Sequence, residues 1–123
     1  MRRVAMAVLA AALAALAGCD DDCEELSDEA DALIERAQAC SAGDSCVLVD
    51  MYEVAGANNC LGPFQCSRAI NAATDLDAFR RDARRIADDY DGCNPCVIAD
   101  CFGASTARCD EAAGVCVAEE IPL

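Results

Sequence analysis

The residues of this chain that are most able to do chemistry are its cysteines, of which it has 11 in 123 residues. Cys93 and Cys96 form a C-x-x-C pair, a spacing at which two thiols can make and break a disulfide with each other. Redox catalysis needs the first thiolate at a helix N-terminus, where the helix dipole lowers the pKa. The pair instead follows a predicted helix and precedes β-branched residues. Structural disulfides are therefore favoured, with thiol–disulfide exchange at Cys93 and Cys96 as the alternative.

Other catalytic and metal-binding sites find little support in the sequence. Cys93, Cys96, Cys101 and Cys109 together could imitate a four-thiolate zinc site, but such sites belong mainly to reducing compartments. The chain has no histidine, which removes the usual base of a nucleophilic triad and the histidine metal ligands. No glycine-rich phosphate loop is present. The sequence thus predicts a protein that is not an enzyme, with no catalytic residue, metal or cofactor.

The N-terminus has the parts of a secretory signal. Arg2 and Arg3 give a positive start, and residues 4–16 form an unbroken apolar run of 13 residues. A bilayer span needs roughly 18 or more apolar residues, so this run is too short to cross comfortably. Small residues and then an acidic stretch follow. This order is typical of an export signal that is cleaved.

The cleavage region resembles that of a known class of protein. Leu16-Ala17-Gly18-Cys19 resembles the lipobox of bacterial lipoprotein precursors. The resemblance covers residues 1–19 and implies removal of residues 1–18, with acyl chains attached to Cys19. Two or more acyl chains hold a protein stably on a membrane. We therefore expect a partner membrane, contacted through this lipid, on the periplasmic side of the inner or outer membrane or at the cell surface.

The other cysteines form an even set once Cys19 is assigned to lipid. An even number in a small exported domain predicts a disulfide framework. Ten cysteines allow about 945 pairings, so the sequence leaves the connectivity open. A predicted hairpin sets Cys109 opposite Cys116, either bonded to each other or reaching Cys93, Cys96 or Cys101. The framework residues are Cys23, Cys40, Cys46, Cys60, Cys66, Cys93, Cys96, Cys101, Cys109 and Cys116.

Charge restricts the partners. Two of the nine basic residues lie in the signal and no acidic residue does, so seven basic residues against 23 acidic ones give residues 19–123 a net charge of −16. This surface repels nucleic acid, which we exclude as a partner. An envelope protein remains as a partner, its identity open. We interpret residues 19–25 as an acidic tether to the lipid and residues 26–123 as one cysteine-rich domain.

Hydrophobic periodicity predicts the elements of this domain. Amphipathic helices are expected over residues 26–40 and 74–90, the second capped by Thr74 and ended near Gly92. Apolar and β-branched runs predict the strands. These are a strand from residue 46 towards Tyr52, short strands over 66–70 and 97–99, and a hairpin of 107–109 with 115–117 across a four-residue loop.

The predicted fold is a small disulfide-rich α+β domain with two amphipathic helices, a short antiparallel sheet and a C-terminal hairpin. In composition and layout it resembles small cysteine-rich envelope lipoproteins of unassigned role, so the likeness supplies no activity. The favoured function is a non-enzymatic binding or structural module of the cell envelope. The alternatives are a thiol–disulfide oxidoreductase using Cys93 and Cys96, and an inhibitor or adhesion-type module acting through a loop over residues 55–64.

The lipobox makes a direct prediction about anchoring. Metabolic labelling with palmitate should mark the wild-type chain, and the chain should fractionate with membranes. Cys19→Ala removes the sulfur that carries the lipid, so both the label and the membrane association should be lost. Cys23→Ala, four residues away, is the control and should keep the label. Label retained in Cys19→Ala would show that the lipid assignment is wrong.

Overall fold

The computed structural model describes residues 22–93 and 96–120. Helix α1 covers residues 22–38, and the elements after it alternate strands with short helices. The α+β class predicted from the sequence is confirmed, with two small antiparallel sheets in place of one. The later elements are β1 (Cys46–Asp50), α2 (Met51–Ala55), a 3₁₀ turn (Gly62–Phe64), β2 (Ser67–Asn71), α3 (Leu76–Asp89), β3 (Thr106–Asp110) and β4 (Val115–Glu119).

The helix boundaries follow from local capping. Helix α3 begins after Asp75, whose side chain accepts a hydrogen bond from the backbone N–H of Ala78. The prediction that Thr74 is the cap was therefore wrong by one residue. Residues 22–25 belong to helix α1, so part of the segment interpreted as an acidic tether is helical. Helix α2 was not predicted: the strand expected to run towards Tyr52 ends at Asp50, whose carboxylate caps Tyr52 N–H.

One apolar cluster joins these elements. Most residues of the predicted stripes of α1 and α3 are buried, with Leu76 the exposed exception at 47%. The buried ones meet residues from α2, the 3₁₀ turn and β2 in the same cluster. Phe64 and Met51 are fully buried at its centre. The buried members are Ala30, Leu33, Ile34, Ala37, Met51, Val54, Ala55, Leu61, Phe64, Ile70, Phe79, Ala83, Ile86 and Ala87.

Two two-stranded antiparallel sheets lie against each other. Strand β1 pairs with β2 from Cys46↔Asn71 to Asp50↔Ser67. Strands β3 and β4 form the predicted hairpin, with Cys109 opposite Cys116. A single bridge, Ala39↔Val115, ties the end of α1 to this hairpin, and Cys40 N–H donates to Gly114 C=O at 3.0 Å.

Five disulfides use all ten predicted cysteines. Each of the first five in the sequence bonds to one of the last five, so no bridge is local. Three of them close separations of 69 or 70 residues and two close separations of 35 or 36. A bridge that closes a loop of this length restricts the unfolded chain and so stabilises the folded state by about 4 kcal/mol. The pairs are Cys23–Cys93, Cys40–Cys109, Cys46–Cys116, Cys60–Cys96 and Cys66–Cys101.

The hairpin cysteines are bonded in neither of the ways considered from the sequence. Cys109 and Cys116 face each other across the hairpin but reach back to Cys40 and Cys46, which fastens β3–β4 onto the start of the domain. The sulfurs of Cys40, Cys46 and Cys116 lie within 4.8 Å of one another. Two bridges are thus side by side, close enough for a freed thiolate to attack its neighbour.

An exposed ion pair also connects the two long helices. Arg85 on α3 donates to the Glu29 carboxylate on α1, and Asp89 lies 3.8 Å from the same guanidinium. The hydrogen bond to Glu29, and next the charge of that carboxylate, raise the pKa of Arg85. Arginine is already protonated at neutral pH. The pair therefore orients helices and does no acid–base chemistry.

The anchoring segment lies outside the described residues. The segment consists of the signal over residues 1–18, Cys19, Asp20 and Asp21. Asn94 and Pro95, inside the C-x-x-C motif, also lie outside the described residues. Within residues 22–93 and 96–120, no helix has the length and apolarity that crossing a bilayer requires.

The paired bridges make a prediction about disulfide exchange. Cys109→Ala alone leaves a Cys40 thiol beside the Cys46–Cys116 bond. At alkaline pH, which favours the thiolate that carries out disulfide exchange, this sulfur should attack that bond and release one of the two partners as a thiol. Peptide mapping without reduction should then find Cys40 bonded to Cys46 or Cys116.

The double variant Cys40→Ala/Cys109→Ala is the matched control. It has no thiol to start the exchange, so the other four bridges should stay intact while the free energy of unfolding falls by about 4 kcal/mol. A single variant that keeps a free Cys40 thiol and four native bridges after long incubation would contradict the predicted exchange.

Candidate functional site

Among the residues that the structure describes, three of the five exposed large hydrophobic ones lie in one segment, residues 96–102, which we call the apolar loop. Val97 is 65% exposed, Ile98 is 62% exposed and Phe102 is 83% exposed. The chain has only three phenylalanines, and the other two are buried. Scattered apolar residues on a surface are ordinary, whereas several in one short segment mark an interaction site.

Two disulfides fix the ends of the apolar loop. Cys96 bonds to Cys60 with a Cα–Cα distance of 4.9 Å, and Cys101 bonds to Cys66 with a distance of 5.3 Å. Both partners flank the 3₁₀ turn, so the loop lies along this turn and is joined to it at both ends. A loop held in this way has little conformational entropy left to lose when it binds.

Gln65, between these two bridges, holds the middle of the apolar loop. Its side chain is fully buried. Its amide nitrogen donates to Val97 C=O at 3.1 Å, and its amide oxygen accepts from Ala99 N–H at 2.8 Å. The nitrogen also donates to Asn59 C=O at 3.1 Å. Because Val97 offers an acceptor and Ala99 a donor, only one orientation of the amide satisfies both.

Asn59 organises the segment that supports the loop. Its amide nitrogen donates to Gly56 C=O at 2.7 Å and to Phe64 C=O at 3.0 Å, and its oxygen accepts from Leu61 N–H at 3.1 Å. Asn59 and Gln65 are the two buried polar side chains among the described residues. Each has its hydrogen-bonding groups satisfied, as buried amides require. The result is a rigid polar support under an apolar loop.

This geometry changes which segment is displayed. The sequence offers residues 55–64 as the candidate loop, and a binding role there requires an exposed apolar patch around Phe64. Phe64 is 0% exposed and Leu61 is 1% exposed, so that patch does not exist. The strand expected over residues 97–99 is likewise absent, because this segment has no regular secondary structure. The segment over 55–64 supports the apolar loop, and of these two segments the apolar loop is the one that exposes large apolar side chains.

Cys93 and Cys96 are each bonded elsewhere. Cys93 pairs with Cys23 and Cys96 with Cys60, whereas a C-x-x-C catalyst must be able to bond its own two sulfurs to each other. The four cysteines weighed as a zinc site also lie in four separate disulfides. Metal-binding cysteines must be thiolates, so in this oxidised state the four have no ligand to offer.

An open groove of about 470 Å³ borders the segment that supports the apolar loop. It runs between residues 55–60 and the end of α3, where Asp88, Tyr90 and Asp91 form its wall. The lining combines carboxylates and amides with small apolar residues. It contains no cationic side chain, so it adds no anion site to the molecule.

Sequence reasoning could not have found Gln65. A glutamine between Phe64 and Cys66 has no periodicity or motif that indicates burial, and its partners in the apolar loop are more than 30 residues away. Val97 and Ile98 are β-branched, and such residues indicate a strand more readily than an exposed loop.

The two phenylalanines allow a test of this site. Phe64→Ala should lower the free energy of unfolding by about 3–5 kcal/mol, because it empties the centre of the core. Phe102→Ser should change that free energy by no more than about 0.5 kcal/mol, because the ring contacts mainly solvent. Denaturant unfolding with the disulfides intact measures both. A loss in Phe102→Ser as large as that in Phe64→Ala would show that the ring is part of the core.

Comparisons with known proteins assign no relative. No protein-family model matches this chain, and neither a curated protein nor a solved structure does. No activity, ligand or partner therefore comes to the chain from another protein. What the site does follows from its own contacts: an apolar loop fixed by two disulfides and one buried glutamine.

Proposed function

We propose that this protein is a lipid-anchored, non-enzymatic binding module of the cell envelope, and that its apolar loop is the surface that contacts a protein partner. The observation that carries this proposal is the exposure of Val97, Ile98 and Phe102 on a segment whose ends and middle are fixed. The packing of the core does not require these three side chains to be exposed. A partner that covers them is the best explanation of their exposure.

The physical reason is the cost of binding. A flexible loop loses conformational entropy when a partner immobilises it, about 0.5–1.5 kcal/mol for each mobile side chain and more for the backbone. Here Cys60–Cys96, Cys66–Cys101 and the Gln65 amide have already ordered the backbone. Aromatic side chains such as Phe102 are frequent in the centre of protein interfaces. A preordered apolar loop is therefore suited to tight contact.

The anchor supports the same function. With lipid on Cys19, the fold would be tied to the membrane through the Cys23–Cys93 bridge. The four-residue step from Cys19 to Cys23 spans at most about 14 Å. The domain would lie close to the bilayer, where its partner would be another envelope protein. Disulfides on this scale also suit an oxidising compartment outside the cytosol.

The oxidoreductase alternative has weaker support. Neither cysteine of the C-x-x-C pair is bonded to the other, and each fixes a different part of the chain. Reducing Cys60–Cys96 to obtain a thiol would release one end of the apolar loop. We therefore favour binding over thiol chemistry.

In-cell photo-cross-linking tests the proposal. A photoreactive amino acid replaces Phe102 in the full chain, and the matched control carries it at Leu76, an apolar residue 47% exposed outside the loop. We expect a discrete cross-linked product from position 102 and none from position 76. Adding Ile98→Ser should weaken that product, because it removes the neighbouring apolar contact. Equal products from both positions, or none from position 102, would contradict a binding role for the loop.

A further inference from the structure

We propose that the apolar loop is an inhibitory segment that enters the active-site cleft of an endopeptidase, with Ile98 in the specificity pocket and the Ile98–Ala99 peptide bond at the position of cleavage. The inference rests on the proposed binding function of the loop and names the class of its partner. It depends on how the loop is held around one peptide bond.

Gln65 holds the chain on both sides of that bond. It bonds Val97 C=O, one residue before Ile98, and Ala99 N–H, the nitrogen of the bond itself. Groups two residues apart that point the same way are a feature of extended backbone. The Gln65 side chain thus bonds the inner backbone edge of this segment, as a neighbouring strand would do in a sheet.

The opposite edge is available to a partner. Within residues 22–93 and 96–120, the backbone N–H and C=O of Ile98 have no hydrogen-bond partner. In an extended chain these groups face away from those of Val97 and Ala99. An extended segment with a free edge and an exposed side chain can pair with another backbone while the side chain fills a pocket. This is how the cleft of an endopeptidase holds the segment that it cleaves.

The crosslinks explain why such a segment would inhibit and not be consumed. Hydrolysis of Ile98–Ala99 takes up one water and yields a carboxylate on Ile98 and an amine on Ala99. The carboxylate side stays attached through Cys96–Cys60, and the amine side through Cys101–Cys66 and the bond from Ala99 N to Gln65. Neither new end can diffuse away, so the reverse reaction, which releases the water, has a high effective molarity. The enzyme remains occupied.

The shape and chemistry of the loop define the enzyme class. The loop exposes a branched aliphatic side chain at its middle and an aromatic one at its end, with Asp100 as its only charge. A protruding segment fits a concave cleft better than a flat surface. Ile98 suits an aliphatic pocket and not one built for a cationic side chain. We infer an exported endopeptidase that cleaves after aliphatic residues.

Two other occupants fit the observations less well. A second copy of this chain would bring together two molecules whose residues 19–123 each carry a net charge of −16, and these repel each other. On a bilayer, only three apolar residues would make contact, beside an acidic surface. Neither a bilayer nor a second copy accounts for the hydrogen bonds that Gln65 makes on both sides of a single peptide bond.

Changing the side chain at position 98 tests the proposal without knowing the natural enzyme. Ile98→Arg offers trypsin the side chain that its pocket binds, at a residue that is 62% exposed and outside the core. The full chain is purified in mild detergent, and its five disulfides are verified by peptide mapping. Ile98→Arg should inhibit trypsin at least about thirtyfold more tightly than wild type, as expected when a central contact is gained. Val47→Arg, at an exposed apolar residue on β1, is the control and should not inhibit.

The Gln65 amide gives a second readout. In Ile98→Arg/Gln65→Met, the loop loses its hydrogen bonds to Val97 and Ala99 but keeps both bridges. Trypsin should cut this variant after residue 98 roughly ten- to a hundredfold faster than it cuts Ile98→Arg, as measured by mass spectrometry under reducing conditions. Equal cleavage rates in the two variants would overturn the role of Gln65.

The proposal as a whole fails if Ile98→Arg is no better an inhibitor than Val47→Arg, or if trypsin degrades both alike. Loss of vesicle binding or of self-association in Ile98→Arg, without trypsin inhibition, would instead assign the loop to a bilayer or to a second copy. None of these results touches the lipid label on Cys19. A cross-linked product from position 102 that is not a peptidase would preserve the binding function and end the inhibitor assignment.

Discussion

Covalent crosslinks between the two halves of the chain are the constraint on which this structure depends. The core contains one cluster of modest size, with α1 and α3 as its main contributors, and a domain of this length buries too little apolar surface to be more than marginally stable. Five long-range bridges compensate, because each removes about 4 kcal/mol of conformational freedom from the unfolded chain. They also decide what is displayed: the bridges at Cys96 and Cys101 allow a loop without regular secondary structure to keep one conformation.

The polar interior works together with these bridges. Asn59 and Gln65 are buried amides whose hydrogen bonds bind three short segments, around residues 56, 64 and 98. In the low dielectric of an interior such bonds are strong when complete and costly when broken. Directly after Gln65 comes Cys66, with a φ of 66°, a backbone conformation that costs about 1–2 kcal/mol for a residue with a side chain. The structure accepts this strain where the support of the apolar loop turns into strand β2.

The sequence predicted the parts of the fold that have a local cause. Helix α3 shows its apolar stripe, although its cap is Asp75 and not the predicted Thr74. The hairpin shows two short strand segments on either side of a turn. Helix α2 was missed because five residues are too few to display a helical period, and its cap Asp50 resembles the end of a strand. The loop at Val97 was mistaken for a strand because its backbone partner is the Gln65 side chain and not another strand. The connectivity was beyond reach because every bridge is set by the tertiary fold.

The division of cysteines between the two halves of the chain has a consequence for oxidative folding during synthesis. A ribosome releases the N-terminal part first, and no native bridge can close until residue 93 has appeared, because all five partners of the early cysteines lie at or beyond it. During emergence, five thiols therefore share a compartment with no correct partner. Any oxidant that acts early makes only mistaken bonds among them, so the maturation of this chain depends on an isomerase, or on late oxidation, more than that of a protein whose bridges are local.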